Sequence, residues 1–430
     1  MTRTPTPELR RSATARRCTL AVLLCLALAV TSCTSSAPGD NRPAPTARDF
    51  HLPAGVEYRE TTQEFGSRGP SAVKILSVHP EAKARVGGIH GKELAGTTTV
   101  RDLAKQSGAR AAVNGSFFDI ATGRHHAGFE GDPLGLYAEH GKILSEASNG
   151  RAALLLGYEQ GRLVARVEET QTVGRLTAQD TAQRELDGVN RVPGRVLGCG
   201  GVGGDRIATT EEPMDAPYSG LCTDVDEVVQ FTEQWSGRTP PGPPRSAEAV
   251  LAADGTVREV RVPAGGKIPA GGSTLYGIGP GAGWLQGHVL KGSRIEVTQE
   301  MTDGAGLAVV GPVDTAVGGS HRLLKNGAVT VAPNAAGGKP NPRTVAGVKA
   351  DGTLLLVTID GREVGVSAGA TLAEAARYLA SLGVVDAINL DGGGSTTMIV
   401  NGELRNRPRG GADDDVTERP VSNGIGVFGE

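Results

Sequence analysis

The sequence predicts an α+β fold that consists mostly of antiparallel sheet with a few packed helices. Apolar runs of strand length fill most of the chain, whereas only two segments have helical periodicity. Glycine-ending turn dipeptides with apolar flanks separate the strand-like runs: His140-Gly141, Asp254-Gly255, Asn326-Gly327 and Asp351-Gly352. Because such turns join neighbouring antiparallel strands, we expect antiparallel pairing to dominate.

The two helical segments have recognisable ends. The first is predicted at residues 99–107 and ends at Gly108, and the second at residues 372–382 and ends at Gly383. In the second, Thr371 and the glutamate three residues later have the spacing of a capping box, and apolar residues recur on one face. We therefore expect the second helix to pack through that face.

A single glycine-rich catalytic domain is expected from residue 56 to residue 430. Glycine makes up 63 of the 430 residues, yet no collagen-like period is visible and hydrophobic residues reach 38%, so the chain is a turn-rich globular protein. Residues 240–244 (PPGPP) either link two domains or form an exposed loop within one. We favour the loop, because strand-like segments of similar composition lie on both sides. The central region, about 174–309, carries no motif of assignable role.

The N-terminus has the pattern of an export signal. Arginines precede an apolar run at residues 20–30, which is too short to span a bilayer as a helix. Residues 30–33 (VTSC) resemble a bacterial lipobox, in which Cys33 becomes the lipidated first residue, and the alternative is an ordinary cleaved signal. We expect a signal peptide with lipobox at 1–33, a flexible tether at 34–55, and an exported protein that is a cell-envelope lipoprotein or secreted.

The cysteine content and the net charge indicate a disulfide-bonded protein without a nucleic-acid partner. Beyond Cys33 the chain has only Cys199 and Cys222, and an even pair in an oxidising compartment predicts a structural disulfide. The net charge is −3, and no block of Lys and Arg lies beyond the extreme N-terminus, which argues against a nucleic-acid partner. The membrane is expected to be a partner only through the N-terminal lipid anchor.

Residues 388–398 (INLDGGGSTTM) are the strongest candidate site. The preceding apolar run predicts a buried strand, which places Asp391 at a strand end where its side chain can reach a ligand. The three following glycines can turn their N–H groups inward as an anion nest, and Ser395, Thr396 and Thr397 add hydroxyl donors. The spacing is not that of a P-loop. Composition alone leaves two alternatives, a phosphate or sugar cradle and a glycine-rich turn without a ligand.

Residues 385–397 (VDAINLDGGGSTT) closely resemble the signature of the phosphodiester glycosidase family. Four further segments match that family in order along the chain: residues 112–119 (AVNGSFFD), 341–347 (NPRTVAG), 357–362 (VTIDGR) and 419–423 (RPVSN). Ser116 stands where the family has a glycine. The resemblance extends from about residue 73 to residue 428, but within the central region no segment matches a motif of the family.

The resemblance implies a hydrolase that cleaves the bond between a sugar anomeric carbon and a phosphodiester oxygen, on glycans or sugar phosphates of the cell envelope or the environment. Such a reaction needs a carboxylate at the anomeric centre, donors that hold the phosphate, and polar groups that fix the sugar. Because phosphate is already a good leaving group, cationic clamps matter more than a strong general acid.

Asp391 and Asp360 are the predicted catalytic carboxylates, since each follows an apolar strand-like run and precedes glycine, so that both can open onto one sheet edge. Arg343, Arg362 and Arg419 are the predicted phosphate ligands. The remaining predicted substrate-binding residues are Thr344, Asn389, Gly392, Gly393, Gly394, Ser395, Thr396, Asn114 and Asp119.

Alternatives stay open at several of these positions. Asp360 could belong to a simple turn, and the arginines could form surface ion pairs, Arg419 with the acidic run at 413–415. No pair of histidines has zinc spacing, so we predict neither a cofactor nor a metal, although Asp360 and Asp391 could share a divalent cation.

Two rival functions also stay open. One is a non-catalytic envelope lipoprotein that binds a glycan or phosphoglycan in the same cleft, and the other is an enzyme that breaks the P–O bond. The first would need the donors but not both carboxylates. The sequence indicates neither the sugar, nor its linked alcohol, nor the stereochemical outcome, nor the oligomeric state.

Overall fold

Strands account for most of the regular structure of this protein. The computed structural model describes residues 50–120, 128–148, 150–197, 206–207, 221–333 and 339–429. Of these residues 46% lie in strands and 9% in helices. The predicted α+β class is therefore wrong, and the protein is mostly β with several sheets. The physical reason is that the helices lie singly against sheets and are too few to form a layer of their own.

The strands are short, with one exception of 17 residues. Numbered along the chain they are β1 Val56–Glu64, β2 Pro70–Val78, β3 Ala84–His90, β4 Ala111–Asn114, β5 Tyr137–Glu139, β6 Lys142–Ser145, β7 Arg151–Glu159, β8 Arg162–Ala178, β9 Gln183–Glu185, β10 Gly188–Val189, β11 Val196–Leu197, β12 Arg206–Ile207, β13 Leu221–Thr223, β14 Val228–Thr232, β15 Arg238–Thr239, β16 Ser246–Leu251, β17 Val257–Arg261, β18 Gly266–Lys267, β19 Ser273–Ile278, β20 Ile295–Asp303, β21 Thr315–Gly318, β22 His321–Lys325, β23 Ala328–Val329, β24 Arg343–Lys349, β25 Leu354–Ile359, β26 Val384–Asn389, β27 Met398–Val400, β28 Glu403–Leu404 and β29 Asn423–Gly429.

Four main sheets contain most of these strands. The first has the order β1-β2-β25-β24-β26-β22-β23, and the second has the order β28-β27-β4-β29-β3. The third has the order β20-β8-β7-β21-β5-β6, with β9 paired to β8, and the fourth has the order β10-β14-β19-β16-β17. Two smaller sheets have the orders β11-β13-β12 and β15-β18. Among the described pairs of strands, β10 and β14 alone run parallel.

Both predicted helices are confirmed. Helix α1 (Val100–Ser107) has Thr99 as its N-cap, whose side chain accepts from the N–H of Asp102, and ends at Gly108 with a left-handed φ of 76°. Helix α3 (Leu372–Ser381) begins with the predicted capping box, in which Thr371 and Glu374 each accept from the other's backbone N–H. Its apolar face packs on the first sheet.

Helix α2 (Gly279–His288), which lies in the central region, was not predicted. Its sequence, GPGAGWLQGH, has no side-chain cap and contains four glycines, each a poor helix former. Tertiary packing explains the helix, because a Cβ on Gly281 would lie 2.3 Å from the carbonyl oxygen of Glu227. Only glycine permits this approach. The glycine that makes a helix hard to predict from the sequence is therefore required by the packing of the helix against Glu227.

The alternation of strand directions brings several strand ends to one edge of the first sheet. In the antiparallel register, Arg343 at the start of β24 lies opposite Ile359 at the end of β25. Two residues along, Val345 lies opposite Asn389 at the end of β26. The residues that follow β25 and β26 and those that begin β24 therefore share this edge, where the candidate active site lies.

The N-terminal predictions fall largely outside the described residues. The signal peptide, Cys33 and Cys199 lie there, so the lipobox and the disulfide stay predictions, while Cys222 is buried. The last residues of the predicted tether contact the folded unit, since the ring of Phe50 packs edge-on against Tyr58 with centroids 4.7 Å apart. Within the described ranges, no helix has the length and apolar character needed to cross a membrane.

Candidate active site

Asp391 lies where the chain leaves the first sheet for the second. The N–H of Leu390 donates to the backbone carbonyl of Thr344 in β24 at 2.9 Å. The N–H of the next residue, Asp391, instead donates to the carbonyl of Gly115, beside the second sheet, at 3.1 Å. Burial raises the pKa of the Asp391 carboxyl to about 6, against the opposing effects of the Ser395 hydroxyl, the Gly392 N–H and the charge of Arg419. The carboxyl therefore titrates close to neutral pH.

The three glycines after Asp391 are required by what lies against them. A Cβ on Gly392 would lie 2.9 Å from the carbonyl oxygen of Pro342. A Cβ on Gly393, whose φ is +58°, would lie 3.0 Å from Nη2 of Arg362, and one on Gly394 would lie 2.6 Å from Nη2 of Arg419. Two guanidinium groups and one carbonyl thus occupy the space that side chains would fill.

The backbone N–H groups of this turn are mostly used within the protein. The Gly392 N–H donates to Oδ1 of Asp391 at 2.8 Å, and the Gly393 N–H donates to the carbonyl of Pro342 at 2.9 Å. Gly393–Ser395 form a short 3₁₀ turn, and Ser395 and the following Thr396 are buried. A nest of all three glycine N–H groups, as the sequence predicted, therefore does not form.

Arg419 is the most available of the three predicted phosphate ligands. Within the part of the chain that the structure describes, its guanidinium makes no hydrogen bond or ion pair, and the run at 413–415 does not pair with it. Its position over Gly394 places it near Asp391, where its charge lowers the pKa of that carboxyl. A half-buried cation of this kind is suited to bind an anion.

Arg343 and Arg362 are two further cations beside the turn. Arg343 is 8% exposed, and its guanidinium donates to the carbonyls of Ala370 at 3.0 Å and Lys339 at 2.8 Å. Arg362 donates to Oδ1 of Asn341 at 3.3 Å. Burial, followed by the charge of Arg362, lowers the pKa of Arg343 to about 10. The two cations repel each other, and an anion bound between them would relieve that repulsion.

Asp360 is buried behind the turn and does not open onto the surface. It is 2% exposed, and its Oδ1 accepts from Nδ2 of Asn406 at 3.1 Å and from the N–H of Arg407 at 3.0 Å. The same Nδ2 of Asn406 donates to the carbonyl of Thr396 at 2.8 Å. Burial raises the pKa of Asp360. The structure therefore connects Asp360 to the glycine turn through Asn406 and leaves Asp391 as the more exposed of the two carboxyl groups.

Asn114 joins the two sheets and holds Asp391 in place. It is fully buried at the end of β4, and its Oδ1 accepts from Oγ1 of Thr344 at 2.6 Å and from the N–H of Thr397 at 3.1 Å. Its Nδ2 donates to the carbonyl of Asp391 at 2.7 Å. Both predicted binding residues, Asn114 and Thr344, thus bond to protein groups, and their contacts are those of positioning residues.

Asp119 belongs to a different cluster. It is 2% exposed, and its Oδ2 accepts from Nε of Arg195 at 2.7 Å. Its N–H donates to the carbonyl of Asp132, a carboxyl whose pKa is raised by burial and then by the charge of Asp119. The contacts of Asp119 are therefore with this ionic cluster, whereas those of Asn114 are with the turn.

Sequence reasoning missed Asn406 and Asn423 as functional positions. Oδ1 of Asn423 accepts from the N–H of Ser116 at 2.9 Å, and a Cβ on Gly115 would lie 2.1 Å from that oxygen. Asn423 closes the segment 419–423, so its position in a matched motif was the signal that could have found it. Asn406 lies in no such motif, and only the fold reveals its bond to Asp360.

The raised pKa of Asp391 predicts that Asp391→Asn stabilises the fold at high pH. A carboxyl whose folded pKa lies above its unfolded value near 4 contributes stability below pH 4 and loses it as the pH rises through 6. Two units of difference correspond to at most about 3 kcal/mol, so we expect a gain of about 1 to 3 kcal/mol at pH 8 and little change at pH 3.5.

Urea unfolding at both values of pH measures this gain. The matched control is Asp351→Asn, which removes a surface carboxyl whose pKa is lowered by the N–H of Thr353 and which should give no gain at pH 8. A loss of stability in Asp391→Asn at pH 8 would show that the ionised carboxylate supports the fold.

Comparison with known proteins agrees with the resemblance seen in the motifs. Residues 246–428 match the family described as phosphodiester glycosidase, a segment that includes Asp360, Asp391 and the three arginines. The N-acetylglucosamine-1-phosphodiester alpha-N-acetylglucosaminidases of Bos taurus and Mus musculus are each 40% identical over 78 residues, which is 18% of this chain. That match spans 14% of the bovine and 15% of the mouse protein.

Two solved structures are similar over most of the chain. A protein of Burkholderia pseudomallei K96243 that is described as exported has a TM-score of 0.71 and 28% identity, over 84% of this chain and 74% of its own. A hypothetical protein from Synechocystis has a TM-score of 0.65 and 20% identity, over 87% of this chain and 62% of its own, and shows the fold alone. The family match supports a glycosidase-type function. The resemblance is thus confirmed, and residues 246–428 of this chain match the phosphodiester glycosidase domain.

Proposed function

We propose that this protein is an exported hydrolase that cleaves the bond between a sugar anomeric carbon and a phosphodiester oxygen. The observation that carries the proposal is the placement of one partly exposed carboxyl, Asp391, near the charge of Arg419, at the start of a turn of three glycines against which Arg362 also packs. A carboxylate beside cations matches a substrate whose reacting carbon is attached to an anionic leaving group.

Asp391 is the proposed catalytic carboxylate. When it is ionised, above a pKa of about 6, it stabilises positive charge at the anomeric carbon or activates the attacking water. The leaving group is a phosphomonoester, whose developing charge is balanced by the arginines. Because this leaving group departs without a proton from a strong acid, a single partly exposed carboxylate suffices for the chemistry proposed here.

Asp360 is proposed to act through the turn. Its bond to Asn406, and that of Asn406 to Thr396, fix the backbone beyond the three glycines. Asn114 fixes the backbone of Asp391 from the other side. These positioning residues hold the carboxylate and the arginines in one geometry, which reduces the reorganisation needed in the transition state.

The export that we propose favours an envelope or environmental glycan as the substrate. The N-terminal export pattern of this chain agrees with the description of the Burkholderia protein as exported, and we propose export for this chain as well. Lipidation at Cys33 would then place the domain at the membrane surface, and the disulfide between Cys199 and Cys222 would form in the same oxidising compartment.

The choice of bond is tested by hydrolysis in ¹⁸O-labelled water. Attack at the anomeric carbon should place the label on the anomeric hydroxyl of the released sugar and leave the phosphomonoester unlabelled. Mass spectrometry of both products from a panel of sugar-1-phosphodiesters measures this directly. Label in the phosphate would mean that the P–O bond breaks, and the glycosidase proposal would be withdrawn.

The packing of Arg419 on the turn is tested by Gly394→Ala. The added methyl group would lie 2.6 Å from Nη2 of Arg419, so the guanidinium must move away from the phosphate site. We expect kcat/KM for a sugar-1-phosphodiester to fall at least about tenfold with little change in thermal stability. Gly287→Ala is the matched control, because a Cβ there meets open space. Equal kinetics in the two variants would show that the close approach has no role in function.

A further inference from the structure

His321 lies directly opposite Asn389 in the pairing of β22 with β26. Side chains of directly opposite residues project from the same face of a sheet. Asn389 is also opposite Val345, and Arg343 lies two residues before Val345, so Arg343 shares that face. The charge of Arg343 reaches the ring of His321, whose pKa it helps to lower. A histidine that was assigned no role thus lies at the edge that holds the candidate active site.

The side-chain amide of Asn389 has a fixed orientation and one unused atom. Its Nδ2 donates to the carbonyl of Leu390 at 2.9 Å and to Oγ of Ser320 at 2.8 Å. Because a carbonyl can only accept, the amide nitrogen must lie on that side. The other atom, Oδ1, is buried and has no hydrogen-bond partner among the described residues. A buried acceptor without a donor is unfavourable, so a donor supplied to this atom would be stabilising.

The same contacts favour one position for the proton on the ring of His321. Oγ of Ser320 accepts from Asn389, and Nδ1 of His321 lies 3.1 Å away. Because this oxygen already accepts from Asn389, its own O–H can donate to Nδ1, and in that arrangement the ring proton lies on Nε2. Burial first, and then the charges of Arg151 and Arg343, lower the pKa of His321, so the ring is neutral at pH 7. In this tautomer the strand pair presents a donor, Nε2–H of His321, and an acceptor, Oδ1 of Asn389.

We propose that His321 and Asn389 together bind a hydroxyl group of the substrate's sugar, which accepts from Nε2–H of His321 and donates to Oδ1 of Asn389. The inference rests on the proposed function and assigns sugar recognition to this pair. A hydroxyl both donates and accepts, whereas a phosphodiester oxygen can only accept and leaves Asn389 without a donor. The arginines thus bind the phosphate, and the neutral pair selects the sugar.

A matched pair of variants tests the role of His321. In His321→Gln the side-chain amide reaches the position of Nε2 and keeps a donor there, whereas in His321→Asn the shorter amide reaches only the position of Nδ1 beside Ser320. With methyl phosphodiesters of hexose 1-phosphates as substrates and release of reducing sugar as the readout, we expect His321→Gln to retain kcat/KM within about threefold. His321→Asn should lose at least about thirtyfold.

Deoxy sugars identify the hydroxyl. Among monodeoxy analogues of the best hexose, one should be a poorer substrate for the wild-type protein by at least about thirtyfold, and His321→Asn should lose that discrimination. Equal activity of the two variants, or discrimination that His321→Asn retains in full, would overturn the inference while leaving the proposed function intact. A wild-type protein that hydrolyses none of the substrates would overturn both.

A measurement on the wild-type protein covers the case in which either variant fails to fold. In ¹⁵N-labelled protein at pH 7, the ring nitrogens of His321 should show the proton on Nε2. Ser320→Ala removes the hydroxyl that fixes this tautomer and should shift the signals toward a mixture. A wild-type ring with its proton on Nδ1 would overturn the inference, because no donor would then face the sugar.

Discussion

The close approach of two arginines to a turn of three glycines is the constraint on which the site depends. Arg362 and Arg419 lie where side chains on Gly393 and Gly394 would project, and the carbonyl of Pro342 lies against Gly392. The glycines therefore serve to admit cations rather than to offer their own N–H groups. This packing places positive charge beside Asp391, whose carboxyl is held partly buried at the point where the chain changes sheets.

The junction between the first and second sheets keeps this arrangement rigid. Asn114 bonds to groups from both sheets, and Asn423 bonds to the backbone of the segment that follows Asn114. Asp360 and Asn406 extend the same network to the far side of the turn. Several residues that looked like ligands in the sequence thus form a buried scaffold, and the groups that we propose for contact with a substrate are Asp391, Arg419 and the pair of His321 and Asn389.

The sequence was sufficient for features that depend on local chemistry. The end of α1 at Gly108 and the capping box of α3 were predicted because the residues concerned lie within one turn of each helix end. The roles of Asp360 and Asn114 could not be read, because burial is a property of the assembled sheets. Helix α2 was not predicted, because its glycines are poor helix formers and are required only by the close approach of a neighbouring backbone. The α+β class was wrong because the few helices lie singly against the sheets.

In the function that we propose, Arg419 and the glycine turn form an anion site next to the Asp391 carboxylate. Calorimetric titration with dimethyl phosphate at pH 8 tests it most directly on the wild-type protein, Arg419→Gln and Asp391→Asn. We expect binding to be at least about tenfold weaker in Arg419→Gln. In Asp391→Asn binding should be tighter than in the wild-type protein, because the substitution removes a negative charge that repels the phosphate. Unchanged affinity for dimethyl phosphate in a folded Arg419→Gln variant would show that Arg419 is not part of an anion site.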